Sequence, residues 1–145
     1  MTRSANVIAR IATFLLVLIA AFGTTAYAQD FKCACDNLRI EVGEKVACAV
    51  TLCVQESPSG PLKCAEVNPG NSVEVACPPY ALGVQLCDGS IAWIIHPDEP
   101  VLGLCNGIGQ VGPKCCVRVC RVLDEKTGCP VLSIQPEPCL TTCDY

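Results

Sequence analysis

The sequence lacks the features that mark most enzymes and nucleic-acid-binding proteins. It has no C-x-x-C pair, and therefore neither the usual zinc-ribbon spacing nor the thioredoxin-type redox motif. It has a single histidine, no G-x-S-x-G nucleophile elbow, and ten basic residues against fourteen acidic ones, with no run of Lys or Arg that could neutralise phosphates. We therefore predict a protein that is not an enzyme, uses no cofactor or metal and binds no nucleic acid.

Helical periodicity of useful length is also missing after residue 28. Apolar residues instead alternate with polar or small ones over short stretches, and frequent Pro and Gly residues separate these stretches. The strongest of them is residues 46–54, where Val46, Val50, Leu52 and Val54 share one apolar face. This pattern predicts an all-β fold, a small disulfide-rich β-sandwich of about seven or eight short strands.

Cysteine is the residue that the sequence has in excess, with fourteen, all at or after Cys33. An even number at this density is typical of a disulfide framework in an oxidising compartment. The spacing leaves the pairing open, but the adjacent Cys115 and Cys116 should bond to different partners, because successive strand side chains point to opposite faces. The disulfide candidates are Cys33, Cys35, Cys48, Cys53, Cys64, Cys77, Cys87, Cys105, Cys115, Cys116, Cys120, Cys129, Cys139 and Cys143.

The first 28 residues resemble a secretory signal peptide in their three parts. Arg3 and Arg10 form a basic start, residues 11–22 an apolar stretch, and Ala26-Tyr27-Ala28 a small-residue cleavage site. The apolar stretch is shorter than the roughly 20 residues that a membrane-spanning helix needs. We expect cleavage after Ala28 and a single domain over residues 29–145 with no membrane span. That domain would be extracellular, or periplasmic if the source is a Gram-negative bacterium.

Turn signals divide this domain into hairpins. Asp88-Gly89 predicts a two-residue turn between strands at 82–87 and 90–95, and residues 124–128 are expected to join strands at 114–123 and 130–134. Pro69-Gly70 predicts another turn, in which glycine supplies a positive φ. Residues 96–114, which hold three prolines and four glycines, are predicted to be a surface loop or a seam between subdomains.

Two segments share the pattern C-x-V-x-[LV]-C, at residues 48–53 and 115–120. The pattern has two interpretations, a degenerate internal duplication or a coincidence expected among cysteine-rich strands. In either case, both segments have a small or apolar face and should form central strands.

Two motifs suggest chemistry that their surroundings do not favour. Residues 107–112 read G-x-G-x-x-G, but Pro113 and a strand follow where a dinucleotide site needs a helix, so we predict a loop. His96, Asp98 and Glu99 could form a metal or acid-base site. Their position after a predicted hairpin is more typical of a solvated acidic loop.

Trp93 is the one residue that could mark a binding surface. Alternation favours its burial in the core, whereas an outward-facing hairpin would make Ile91, Trp93 and Ile95 an apolar patch for a protein or carbohydrate partner. From the composition, and from the chemistries that the sequence excludes, we expect a secreted, non-enzymatic binding or structural module. The alternative is a secreted inhibitor of a protease or other enzyme, which would act through a rigid loop at residues 58–61 or 96–100.

Overall fold

The computed structural model describes residues 33–99, 103–139 and 143, and the predicted leader at 1–28 lies outside them. The regular structure of the described residues consists of β-strands, and none of it is a helix long and apolar enough to cross a membrane. The prediction of a small disulfide-rich all-β fold is confirmed. The strands are β1 (Asn37–Val42), β2 (Val50–Gln55), β3 (Leu62–Val67), β4 (Ser72–Ala76), β5 (Ala81–Gln85), β6 (Ile91–Ile95), β7 (Cys105–Gly112), β8 (Cys115–Leu123) and β9 (Pro130–Glu137).

The strands form two sheets. One has five strands in the order β4-β1-β9-β8-β7, and the other has four in the order β3-β2-β5-β6. All neighbouring strands are antiparallel except β1 and β9, which run parallel with Ile40 opposite Leu132. Because the chain passes from one sheet to the other after β1, β3, β4 and β6, strands that are consecutive in sequence often lie in different layers.

The core lies between the inner faces of the two sheets. On β1 the burial alternates, with Leu38, Ile40 and Val42 buried and the residues between them half-buried. The other strands supply matching side chains, among them Val50, Leu52, Leu82, Val84, Val117, Val119, Leu132 and Ile134. Burying a side chain of this size stabilises the fold by about 1.5–3 kcal/mol.

The turns agree with the sequence signals in position and differ in one detail. Asn71 N donates to Asn68 O at 3.0 Å around Pro69-Gly70, and Gly70 has a φ of 88°. The β5–β6 turn is a three-residue loop rather than the predicted two-residue one. Leu86 N donates to Ser90 O and Gly89 N donates to Leu86 O. Only Gly89 has a positive φ, whereas a two-residue turn of the predicted type requires it at Asp88 as well.

Strand β7 lies within the stretch at 96–114 that the sequence predicts to be irregular. Its register with β8 shifts twice, between Gly107 and Gly109 and between Gln110 and Gly112. Gly109, with a φ of 132°, provides the backbone conformation for the first shift. The same glycines that make this stretch resemble a loop in the sequence are therefore the residues that let the strand bend. The G-x-G-x-x-G segment, predicted to be a loop, is a bulged strand.

Strand β2 begins later than the alternation predicts, at Val50 instead of Val46. Val46 N donates to Gly43 O in a turn, and the chain then crosses from the five-stranded sheet to the four-stranded one. Cys48 lies in this crossing and bonds to Cys115 at the start of β8. A segment that connects two layers cannot pair along either sheet, although its side chains alternate.

Seven disulfides join all fourteen cysteines. Five connect parts of the same sheet or its flanking segments, and two connect the layers. The pairs within one sheet are Cys33–Cys77, Cys35–Cys129, Cys53–Cys64, Cys105–Cys120 and Cys116–Cys139, and the pairs between layers are Cys48–Cys115 and Cys87–Cys143. The adjacent Cys115 and Cys116 bond to different partners, one between the layers and one within the five-stranded sheet.

The two C-x-V-x-[LV]-C segments play equivalent roles in opposite layers. Their first cysteines bond to each other, as Cys48–Cys115. Their last cysteines, Cys53 and Cys120, each bond to the directly paired cysteine of an adjacent strand, with a Cα–Cα distance of 4.0 Å. The adjacent strand follows β2 in sequence but precedes β8. A tandem duplication would preserve that order, so the difference favours the second interpretation, a coincidence among cysteine-rich strands.

Candidate functional site

Trp93 lies on the outer face of the four-stranded sheet and is half-buried, which corrects the expectation that it packs in the core. The register places it opposite Gly83, whose neighbours Leu82 and Val84 point into the core. A Cβ on Gly83 would lie 2.9 Å from Trp93 Cε3. The indole therefore rests on the backbone of β5, where only glycine leaves room for it.

A row of residues across the sheet supports the indole. Cys64 on β3 pairs with Cys53 on β2, Cys53 pairs with Gly83 on β5, and Gly83 pairs with Trp93 on β6. The first two residues are joined by the Cys53–Cys64 disulfide. Trp93 thus lies at one end of a row that crosses all four strands, and the Cys53–Cys64 disulfide lies at the other end.

The predicted patch of Ile91, Trp93 and Ile95 is brought together in part. Ile91 Cγ2 would lie 2.5 Å from a Cβ on Gly83, so Ile91 and Trp93 share the outer face and both cover this glycine. The register shifts after Trp93, and Ile95 then pairs with Leu82, on the core side of β5. A β-bulge, which alternation does not reveal, therefore separates Ile95 from the other two.

His96 extends the patch at the end of β6. Its ring centroid lies 4.8 Å from that of Trp93, at a tilt of 44°. Its Nδ1 accepts a hydrogen bond from Asp98 N at 3.1 Å, and Glu99 N donates to His96 O at 3.2 Å. His96, Asp98 and Glu99 thus form a local turn. Within residues 33–99, 103–139 and 143, no three His, Cys, Asp or Glu side chains are grouped to hold a metal ion. We call Ile91, Trp93 and His96 the indole face.

The two loops considered for an inhibitor differ in their support. Residues 56–61 connect β2 to β3, and β2 ends two residues beyond Cys53, which the disulfide joins to Cys64. Gln55 Nε2 donates to Pro58 O at 3.2 Å and to Gly60 O at 3.1 Å. This loop is exposed and folded into a turn, in which Gly60 N donates to Ser57 O. Of residues 96–100, the structure describes 96–99, which form the turn around His96.

Two small clefts lie on the five-stranded sheet and its flanks. The larger, of about 260 Å³, surrounds Arg39, whose guanidinium lies 3.2 Å from the Glu41 carboxylate and 3.6 Å from that of Asp124. The smaller, of about 220 Å³, lies between Gly107 and Glu137. Ligand pockets are usually larger, at about 300–1,000 Å³. Neither cleft is predictable from the sequence, because the lining residues come together only through strand pairing.

Exposed apolar residues also occur on the five-stranded sheet, at the end where β7 begins and β8 ends. Leu104 and Leu123 are 72% and 69% exposed. Arg121 N donates to Leu104 O at 2.7 Å, which places Leu104 beside the end of β8. Sequence reasoning missed these residues because single leucines at strand ends are common.

Comparisons with protein-family models, with curated proteins and with solved structures found no match to this chain.

Proposed function

We propose that the protein is a secreted, non-enzymatic binding module that holds a protein or carbohydrate partner against the indole face. The observation that carries this proposal is the position of Trp93, half-buried on the outer face and packed over Gly83, in a row whose other end is closed by the Cys53–Cys64 disulfide. Tryptophan is enriched among the residues that dominate binding energies. An indole that is already ordered loses little conformational entropy on binding.

The disulfide content supports the compartment. Seven disulfides persist in oxidising environments and are rare in the cytosol. The fourteen paired cysteines leave no thiol for nucleophilic or metal chemistry. What they provide is a scaffold that withstands proteases and holds a surface in one conformation, which suits a binding role outside the cytoplasm.

The test uses the single tryptophan of the sequence as a reporter. Partners are captured from the secretion environment with the wild-type protein, with Trp93→Ser and with Leu104→Ser, which removes an exposed apolar side chain at the far end of the other sheet. We expect one partner that the wild type and Leu104→Ser retain and that Trp93→Ser loses. That partner should also shift the emission of Trp93 and protect it from acrylamide quenching.

Two results would contradict the proposal. One is a partner that Trp93→Ser retains as well as the wild type does, and the other is binding that leaves the emission of Trp93 and its quenching unchanged. Circular dichroism and intact mass of each variant establish that the fold and the disulfides are retained.

Inhibition of a protease or other enzyme is the second candidate, favoured by the support of residues 56–61. The Cys53–Cys64 disulfide joins the two strands that this exposed loop connects, and the two hydrogen bonds from Gln55 constrain its backbone. An inhibitor of this type should block a member of a panel of serine, cysteine, aspartic and metallo-endopeptidases. Gln55→Ala should weaken that inhibition about tenfold, because the loop then loses order before binding. Absence of inhibition across the panel at micromolar concentration excludes inhibition of these four classes of endopeptidase.

A further inference from the structure

Strand β6 forms one edge of the four-stranded sheet in the described part of the chain. Its five residues, Ile91–Ile95, are all apolar and include neither a charge nor a proline. Natural proteins usually protect edge strands with charges, proline, bulges or shortening, because an open edge pairs with other strands. The single bulge of β6 follows Trp93, so Ile91, Ala92 and Trp93 remain regularly extended.

The hydrogen-bond pattern of the hairpin shows which amides face the open edge. Leu86 N donates to Ser90 O at 2.8 Å. In an antiparallel ladder, bonded and non-bonded pairs alternate, so Val84 and Ala92 form the next bonded pair. The main-chain N–H and C=O groups of Ile91 and Trp93 then point away from β5, toward the open edge. Among residues 33–99, 103–139 and 143, no strand bonds to these groups, so a further strand could pair there.

Both ends of β6 are acidic. Asp88 precedes the strand, Asp98 and Glu99 follow it, and all three are exposed. The sequence has no Lys or Arg between Lys63 and Lys114. Ser90 Oγ donates to the Asp88 carboxylate at 2.6 Å, which lowers the pKa of Asp88. The edge therefore presents an apolar centre between two negative ends.

The geometry points to strand addition at β6: an extended segment of a partner protein pairs with the Ile91 and Trp93 main chain and carries Lys or Arg at both ends. This inference rests on the proposed function, since it names the partner of the indole face as a polypeptide. Five residues span about 17 Å, which sets the separation of the two basic ends at about five to seven residues. Main-chain hydrogen bonds supply affinity, and the charges supply selectivity and salt dependence.

A second copy of this chain fits the edge poorly. Antiparallel pairing of two β6 strands would bring Asp88 of each copy toward Asp98 and Glu99 of the other. Parallel pairing would place each acidic end beside its own counterpart. Like charges facing each other across a strand pair are destabilising. The acidic ends therefore select a basic partner and oppose self-association.

The experiment selects binders from a phage-displayed library of random linear peptides and measures their affinities by Trp93 fluorescence. We expect enriched peptides with alternating apolar residues between Lys or Arg at both ends. Their affinity should fall at least tenfold for Ile91→Lys and at least threefold when the salt concentration rises from 50 to 300 mM. The matched control, Leu62→Lys, adds the same charge to β3 at the opposite edge of the sheet and should change the affinity less than twofold.

A second measurement does not depend on the folding of a variant. Synthetic copies of the enriched peptides, methylated on alternate backbone nitrogens, should lose binding in the one register whose amides face β6 and keep it in the other. Strand addition is overturned if no peptide is enriched, if enriched peptides lack basic ends, or if methylation in both registers is tolerated. It is also overturned if the wild type is a dimer that Ile91→Lys dissociates.

The two levels of the proposal fail separately. A captured partner that requires Trp93 but is a carbohydrate, or that binds Ile91→Lys unchanged, leaves the indole face as a binding site and overturns strand addition. A partner that ignores Trp93 overturns the proposed function itself.

Discussion

At the scale of single residues, the indole face depends on the missing side chain of Gly83. A Cβ there would lie 2.5 Å from Ile91 Cγ2, 2.9 Å from Ala92 O and 2.9 Å from Trp93 Cε3. Two of these atoms belong to side chains that could shift, but Ala92 O is main chain of the paired strand. We expect Gly83→Ala to lower the free energy of unfolding by about 1–3 kcal/mol, as overpacking does.

Denaturant unfolding with the disulfides intact measures this effect, and Trp93 emission reports on the local change. The matched control is Gly103→Ala, whose added Cβ would come no closer than 3.6 Å to another residue, Asn106. Equal unfolding midpoints for the two variants would show that β5 and β6 accommodate a methyl group at Gly83 without loss of stability, and that the indole is not held tightly there.

Asp88 provides a pH-dependent contact at the same scale. Hydrogen bonds from Ser90 Oγ and Ser90 N, at 2.6 and 2.9 Å, lower the pKa of Asp88. A carboxyl whose pKa is lower in the folded state stabilises the fold above its unfolded pKa, and this contribution is lost as the pH falls through the folded value, below about pH 4. Ser90→Ala should raise the pKa of Asp88 toward its ordinary value, which an NMR titration of the carboxyl carbon can follow. An unchanged titration would mean that the Ser90 hydroxyl does not bond to Asp88.

At the scale of elements, Gln110 connects β7 to two other parts of the chain. Its main-chain oxygen accepts from Cys87 N at 2.9 Å, its Oε1 accepts from Cys143 N, and its Nε2 donates to Gly112 O at 3.0 Å. Gln110→Leu removes the side-chain bonds and leaves the main-chain bond. We expect faster hydrogen exchange at the Cys143 amide and unchanged exchange at the Cys87 amide, which serves as the internal control. Equal acceleration at both amides would show that Gln110 holds β7 as a whole instead of the tail alone.

The sequence predicted the elements that local chemistry determines. Strand β3 starts directly after Pro61 and ends just before the predicted Pro69-Gly70 turn, so local turn residues set both of its ends. Strand β7 was not predicted, because Gly107 and Gly109 are typical of loops. In the structure they lie on either side of a register shift within the strand. The bulge after Trp93 escaped for a related reason, since alternation assumes an unbroken pleat. The parallel pairing of β1 with β9 and the cysteine partners depend on contacts between residues far apart in sequence, which no local pattern encodes.

The candidate site was predictable to the same degree. Trp93 stands out in the sequence as the single tryptophan, and Ile91 follows from the alternation. Their position on the outer face depends on the pairing of Gly83 with Trp93, which only the structure shows. The support from Cys53–Cys64 depends on the pairing of β2 with both β3 and β5.

At the scale of the whole molecule, both disulfides between layers lie at the same end of the two sheets. Cys48 Sγ lies 3.1 Å from the position of a Cβ on Gly112, and Cys87 N bonds to Gln110 O, so both disulfides are close to the end of β7. At the other end of the five-stranded sheet, where Leu104 and the end of β8 lie, three disulfides join parts of this sheet to one another and none of them links the layers: Cys33–Cys77, Cys35–Cys129 and Cys105–Cys120. The layers are therefore tied together at one end and held by the hydrophobic core elsewhere.

This arrangement predicts that a cross-link between layers stabilises the protein more than one within a hairpin. Cys48 and Cys115 are separated by 67 residues, and Cys53 and Cys64 by 11. In the chain-entropy model, this difference favours the longer loop by about 1.6 kcal/mol, and the overlap of other disulfide loops reduces that figure. The double variant Cys48→Ala/Cys115→Ala should therefore unfold at a lower denaturant concentration than Cys53→Ala/Cys64→Ala. Intact mass after alkylation without reduction verifies that the remaining six disulfides form in each variant. The reverse order of stability would mean that the row carrying Trp93, and not the link between layers, is the main support of the fold.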